Sequence, residues 1–225
     1  VTLQYNSITM KYTKDNKVET DYVEFYSQNR DKISDLYSSE KRIFNNVNFK
    51  GKSILDIGCA CGGFYNIFKE IAPDISYFGI DISEKLIKSS KKRYPEIADK
   101  FITCSATNLC FSNHSFDIVF CGSVQSHCRQ YKHLLSECWR VSKQILIFDF
   151  RFSFHKDTYN LTTNVSSVPY IVLNIHEMID LIKSLDGTKG ISFESYMIAP
   201  DKNEIVGSDL LDKSDIWCGL FCLSK

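Results

Sequence analysis

The sequence predicts an α/β fold in which seven strands form a mostly parallel sheet wound on both faces by helices. Two observations predict it. Short apolar runs of strand length alternate with segments whose apolar residues recur at helical spacing, the pattern of parallel strands joined by crossover helices. Glycines, acids and small polar residues cluster just beyond several of those runs, at the carboxyl ends of the strands, where such sheets bind ligands.

The elements follow in order. Residues 19–47 read as one or two helices, with Tyr22, Val23, Tyr26, Ile33, Leu36, Tyr37, Ile43 and Phe44 at roughly helical spacing. The first strand covers 53–58, and the helix after it carries Phe64, Ile67, Phe68 and Ile71 on one face until Pro73 stops it. Tyr77 to Ile82 is the second strand, and Ser83 is the N-cap of a helix that runs to Tyr94 before Pro95. Strands three to five are expected at 101–106, 116–121 and 144–150, with a helix through Leu134, Leu135, Cys138 and Trp139 before the fifth. Residues 151–169 lack a clear period and read as a long loop. Helix returns over 174–185, and 191–197 and 217–223 supply the last two strands.

Composition narrows the function. A chain of 225 residues suffices for one globular domain with a sizeable core. Lys plus Arg and Asp plus Glu number 27 each, so the formal net charge is zero and the basic footprint of a general nucleic-acid binder is missing. No apolar run approaches the roughly 18 residues of a membrane span, and the first residues do not resemble a signal peptide. The nine cysteines are odd in number and several fall within strands, so reduced thiols in a cytoplasmic protein are expected. Cys59-x-Cys61 lacks the partners a metal site needs, and no metal is expected.

The stretch SILDIGCACGGF, residues 53–64, holds the first chemistry. Asp56 inside a buried strand is costly unless something hydrogen-bonds to it. Gly58, Ala60, Gly62 and Gly63 clear side chains where the strand turns into a helix, so that a ligand can approach the backbone. Asp81, ending the second strand, is placed to accept hydrogen bonds from a ribose diol. Gly58-x-Ala60-x-x-Gly63 with Asp81 about 20 residues on partly fits a dinucleotide fingerprint. Asp56 is foreign to that fingerprint and argues instead for a ligand with an amino group, as in S-adenosylmethionine. Close packing alone is the competing explanation of the glycines, and capping of the next helix that of Asp81.

Taken together, ILDIGCACGGF (54–64), YFGIDIS (77–83), ATNLCF (106–111) with SFDIV (115–119), and ECWRV (137–141) with ILIFD (145–149) resemble the class I S-adenosylmethionine-dependent methyltransferases of the type 11, small-molecule kind. The resemblance spans about residues 50–150. It implies a Rossmann-like doubly wound sheet whose last strand is antiparallel, with residues 1–48 as an N-terminal helical cap on a methyltransferase domain at 49–225. It also implies that Asp56 and the turn of Gly58, Cys59, Ala60 and Gly62 hold the methionine end of S-adenosylmethionine. Asp81 would bind the ribose, Ile82 would pack on the adenine, and Ser105, Ala106 and Thr107 would meet the adenine edge. Gly122 borders the same site from the fourth strand. Ala60 stands where the family has glycine, which is tolerable if its φ stays negative. Ser105 stands where the family often has an acid.

Methyl transfer to a hydroxyl gains from a general base, and His127, just past the fourth strand, is the candidate; packing or cofactor orientation is the alternative for it. Tyr26 and Arg30 on the N-terminal helix would meet the cofactor carboxylate or the acceptor, unless they form an ordinary packed face. Arg151 suits an anionic substrate, and 152–169 and 199–215 are long enough to rim the site. Asp117, at the opposite end of its strand, is expected to be structural. The expected activity is methylation of a small-molecule hydroxyl, on a sugar or related metabolite. Alternatives are an RNA or protein methyltransferase and a non-catalytic cofactor-binding subunit that needs a partner.

Overall fold

A computed structural model describes residues 17–154, 157–163, 168–197, 205–206 and 216–225. The N-terminal helices are α1 (Lys17–Gln28) and α2 (Ser38–Asn45). The alternating part then runs β1 (Ser53–Ile57), α3 (Gly63–Ile71), β2 (Ser76–Asp81), α4 (Glu84–Arg93), β3 (Phe101–Thr103), β4 (Phe116–Cys121), α5 (Tyr131–Val141) and β5 (Ser142–Ser153). Beyond it come β6 (Tyr159–Thr163), β7 (Pro169–Asn174), α6 (Ile175–Lys183), β8 (Gly190–Met197), the two-residue β9 (Ile205–Val206) and β10 (Trp217–Ser224).

The main sheet has the order β3-β2-β1-β4-β5-β10-β8, and β10 runs antiparallel to both its neighbours while the other six strands run parallel. Its central strands are apolar on both faces, as a sheet covered on both sides requires. Leu55, Ile57, Val119 and Leu146 meet α5 and α6 through Leu134, Leu135, Met178 and Ile182. Ile54, Ile118, Phe120 and Ile147 meet α2 and α3 through Ile43, Phe44, Ile67 and Phe68. The α1–α2 connection is stitched to this body by Asp31, which pairs with Arg93 (2.8 Å) and accepts from Asn66 Nδ2 (2.8 Å). Asp117 is structural, as expected: it accepts from Ser53 N (2.9 Å) and Oγ (2.7 Å) and ties the start of β4 to β1.

The long loop expected after the fifth strand is not one. β5 continues to Ser153, and β6 and β7 form an antiparallel pair. The reason lies in Pro169-Tyr170-Ile171-Val172-Leu173, an apolar run whose last four residues are all buried, with proline at the first strand position, where a missing N–H costs least. β4 pairs with β5 as far as Cys121–Phe148, and beyond that point β7 pairs with it, Phe152 facing Leu173. The insertion therefore stands over the carboxyl edge of the sheet. Strand three ends at Thr103 rather than 106. Of the second expected rim, residues 199–204 and 207–215 lie outside the described residues.

Candidate active site

The turn after β1 is shaped by contacts as much as by flexibility. Gly58 has φ +74°, and a Cβ there would lie 2.3 Å from Val124 Cγ2, in the loop leaving β4. At Gly63 a Cβ would lie 2.4 Å from the Arg30 carbonyl oxygen, so the cap sits directly on the start of α3. The N–H groups of Gly58 and Cys59 both donate to Ile80 O (2.8 and 2.9 Å), which clasps the turn to β2. Ala60 departs from expectation: its φ is +48°, left-handed, and the methyl group is held there at a cost. Its N–H donates to Asp81 Oδ2 at 3.0 Å, one of the bonds that fixes it.

Two acids lie at this turn. Asp56 is only 2% exposed, and its Oδ2 accepts from Tyr77 Oη at 2.6 Å, which is the donor the buried strand demanded. Burial pushes its pKa up to about 7; the Tyr77 bond opposes this and the nearby Asp81 adds to it. The Cys59 thiol, buried beside Asp56, is pushed well above its ordinary value by burial. Asp81 Oδ1 accepts from Ser83 N at 2.8 Å. Burial raises its pKa, and the Ser83 and Ala60 N–H bonds pull the other way. The N-cap of α4 is Ser83 itself, accepting from Leu86 N at 3.4 Å.

Around Asp81 the expected residues converge. Cys104 N donates to Asp81 O (3.0 Å), which brings the 105–107 turn alongside, with Ser105 Oγ and Thr107 Oγ1 2.9 Å apart. Ile82 points into open space, 77% exposed, directly beside Asp81. All nine thiols are free.

The N-terminal pair is arranged differently from the sequence reading. Arg30, itself left-handed at φ +63°, forms an ion pair with the buried Glu40, and its guanidinium lies over the rings of Tyr37 (4.2 Å) and Phe64 (5.2 Å). Its charge is therefore already matched. Tyr26 is 38% exposed and packs edge-on against Phe25.

On the β4–β5 side, Gly122 leads to Ser123, left-handed at φ +60°, whose N–H donates to Asp149 Oδ1 at 2.6 Å. His127 Nδ1 lies 2.8 Å from Pro169 O, so it carries the proton, and Nε2 accepts from Arg151 Nη1 at 3.3 Å. Arg151 stacks over Tyr170 at 4.5 Å. Burial, aided by the Arg151 charge, lowers the His127 pKa to about 4, so the imidazole is neutral at physiological pH. Sequence reasoning missed Asp149, Glu40 and Tyr77. For Asp149 the signal was present: an acid inside the apolar run Ile145-Leu146-Ile147-Phe148, as with Asp56 in β1.

Residues 55–147 match the methyltransferase domain family. That stretch is about two fifths of the chain, and over it the chain is similar to the S-adenosylmethionine-dependent methyltransferases. It is 35% identical over 101 residues to the phthiotriol/phenolphthiotriol dimycocerosates methyltransferase of Mycobacterium leprae, covering 44% of this chain and 37% of that one. To the demethylmenaquinone methyltransferase of Thermotoga maritima it is 29% identical over 93 residues, 41% and 40% of the two chains. The chain thus spans about two fifths of the length of these relatives. Among solved structures, a SAM-dependent methyltransferase from Methanosarcina mazei superposes with a TM-score of 0.59 at 16% identity, covering 84% of this chain and 98% of that one. Phosphoethanolamine N-methyltransferase 2 of Haemonchus contortus, with S-adenosylmethionine bound, gives 0.60 at 17% identity over 80% and 50%. The methyltransferase domain places its glycine turn, Asp81 and the 105–107 turn on one edge of the sheet, and the β6–β7 insertion stands over that same edge. Among the described residues no helix is long and apolar enough to cross a membrane.

Proposed function

We propose that this chain transfers a methyl group from S-adenosylmethionine to a hydroxyl of a small molecule, a sugar or related metabolite. The observation that carries the reading is the convergence of the Gly58–Gly62 turn, Asp81, the bare face of Ile82 and residues 105–107 at one sheet edge. The residues present fit the cofactor. Asp81 offers carboxylate oxygens to a ribose diol, Ile82 an apolar face to adenine, Ser105 and Thr107 hydroxyls to the adenine edge, and Asp56 a buried acid below the methionine end. Gly58, Cys59, Ala60 and Gly62 let the backbone approach, Gly122 closes the site from β4, and residues 17–48 cap it. Arg30, held by Glu40, presents its backbone to the turn rather than a spare charge; Tyr26 lies on the same cap.

When bound, S-adenosylmethionine supplies an electrophilic methyl group. What remains for the protein is to hold the acceptor oxygen in line and close to it, which accounts for much of such catalysis. The Arg151–His127–Tyr170 group stands on the acceptor side. For His127 to serve as the base expected from its position, the acceptor hydroxyl has to replace Arg151 at Nε2, and the acid limb falls near pH 4 rather than 6–7. The neutral net charge weighs against RNA as acceptor. A relative named for a triol substrate supports a hydroxyl.

The test is a screen of small-molecule, RNA and protein pools with methyl-labelled cofactor. Label in a small neutral or anionic hydroxyl compound is expected. Label in RNA or protein overturns the acceptor class, and cofactor binding without any transfer supports the partner-requiring subunit.

A further inference from the structure

Asp149 lies within β5, one residue past the last pairing with β4, and its carboxylate is unevenly satisfied. Oδ1 takes the short bond from Ser123 N (2.6 Å). Among the described residues Oδ2 has only long contacts, Ser123 Oγ at 3.5 Å and Cys218 Sγ at 3.8 Å. Among the described residues no cation comes within ion-pairing distance of it, although Arg30 and Arg151 both act on it from further off. A half-buried carboxylate with one oxygen anchored by a short bond and the other reached only by long ones leaves that second oxygen open to a ligand's hydrogen. The Ser123 turn that anchors it is strained, and the next residue, Val124, fills the space over Gly58; Asp149 is thus one loop-width from the cofactor turn.

We infer that Asp149 is a catalytic residue, the group whose Oδ2 takes the proton of the acceptor hydroxyl during methyl transfer. The inference rests on the hydroxyl reading above. The acceptor oxygen forms its bond to the methyl carbon as the sulfur–carbon bond breaks, the bonding pair neutralises the sulfonium, and the hydroxyl proton passes to Oδ2 and then to solvent. His127, with Nε2 occupied, then orients Arg151 instead of taking the proton. The groups facing Asp149 are Arg30 and Glu40 from the cap, Arg151 on β5, Cys121 on β4 and Cys218 on β10. Burial raises its pKa above the ordinary carboxylate value, while Arg151, the Ser123 N–H and Arg30 lower it, and a raised pKa makes the better base.

The experiment compares wild type, Asp149→Asn, Asp149→Glu and His127→Ala on the acceptor from the screen, with S-adenosylhomocysteine affinity measured by calorimetry for each. Asp149→Asn is expected to lower kcat by about 10²- to 10⁴-fold, with affinity for S-adenosylhomocysteine within about threefold of wild type. Its residual rate should lose the acid limb, which in wild type follows protonation of the carboxyl as pH falls. Asp149→Glu should recover part of the rate. Normal turnover in Asp149→Asn, a rise in KM alone, an equal loss of S-adenosylhomocysteine binding, or a larger loss in His127→Ala each overturns the assignment while leaving methyl transfer in place. No transfer by wild type to any acceptor takes down the function reading, and this inference with it.

Discussion

The two halves of the sheet edge are built on different plans. In the half formed by β1, β2 and β3, backbone groups make most of the contacts, Ala60 and Ser83 N–H to Asp81 and Gly58 and Cys59 N–H to Ile80 O, with the Tyr77–Asp56 bond the main side-chain pair. In the half formed by β4, β5 and β7, side chains take a larger part: His127 meets Arg151 and the Pro169 carbonyl, Arg151 stacks on Tyr170, and Asp149 accepts from the Ser123 N–H. A backbone scaffold suits a constant ligand. A side-chain scaffold is free to change with the acceptor, and the loops and insertions of a rigid fold are where such change accumulates.

That division can be broken by experiment. The largest effect should come from Asp81. A ligand at a hundred times its Kd stabilises by about 2.7 kcal/mol, and Asp81→Ala or Asp81→Asn should remove most of the thermal shift given by S-adenosylhomocysteine. Arg151→Ala, in the other half, should leave that shift intact. If Arg151→Ala abolishes it as well, the halves are not separate.

The two halves should also respond to pH with opposite sign. Asp56 has a folded pKa of about 7 against an ordinary 3.8. The native state therefore binds more protons in between, and stability from this group is full below about pH 4 and lost as pH rises through 7. His127 has a folded pKa of about 4 against 6.5, so its contribution is full above 6.5 and lost as pH falls through 4. Urea midpoints of the ligand-free protein between pH 4 and 8 should show Asp56→Asn removing a falling slope worth about 1–4 kcal/mol and His127→Ala removing a rising one. Slopes of the same sign in both variants would contradict the burial that sets them apart.

The smallest effect is at Ala60. Glycine accepts φ +48° without strain, so Ala60→Gly should stabilise by about 0.5–1 kcal/mol once its greater freedom in the unfolded chain is deducted. A loss of stability would mean that the methyl group packs usefully in the turn.

What the sequence made legible follows the same division. The seven main strands, the glycine turn, Asp56 and Asp81 are encoded within runs of a dozen residues. An acid among Ile and Leu, or glycines at a strand end, can be seen without knowing what lies opposite. The strand β7 was hidden because Pro169–Leu173 is short and runs into α6 with the single capping residue Asn174 between them. The partners of Arg30 and His127 had no local sign, since Glu40 is one of many acids and Arg151 lies 24 residues beyond His127. The φ of Ala60 was misjudged because composition does not report a dihedral. Asp149 carried the mark that identified Asp56, and it was overlooked because the family pattern assigned it nothing.

The antiparallel strand has a consequence for how the chain folds. Among the described residues β8 is hydrogen-bonded to the sheet only through β10, whose eight residues pair on both sides, with β5 and with β8. Residues 190–197 therefore have no place in the sheet until residues 217–224 arrive. The first five strands can assemble among themselves, with the β1–β4 pairing their one long-range join, whereas the last two must dock together, as a preformed antiparallel pair or with β10 leading. Contacts of high sequence separation form slowly. During synthesis the outer edge of β5 thus stays open, with its Ile147, Phe148 and Phe150 awaiting cover, until the end of the sheet has emerged. That interval, rather than the finished fold, is when this protein is most exposed to aggregation.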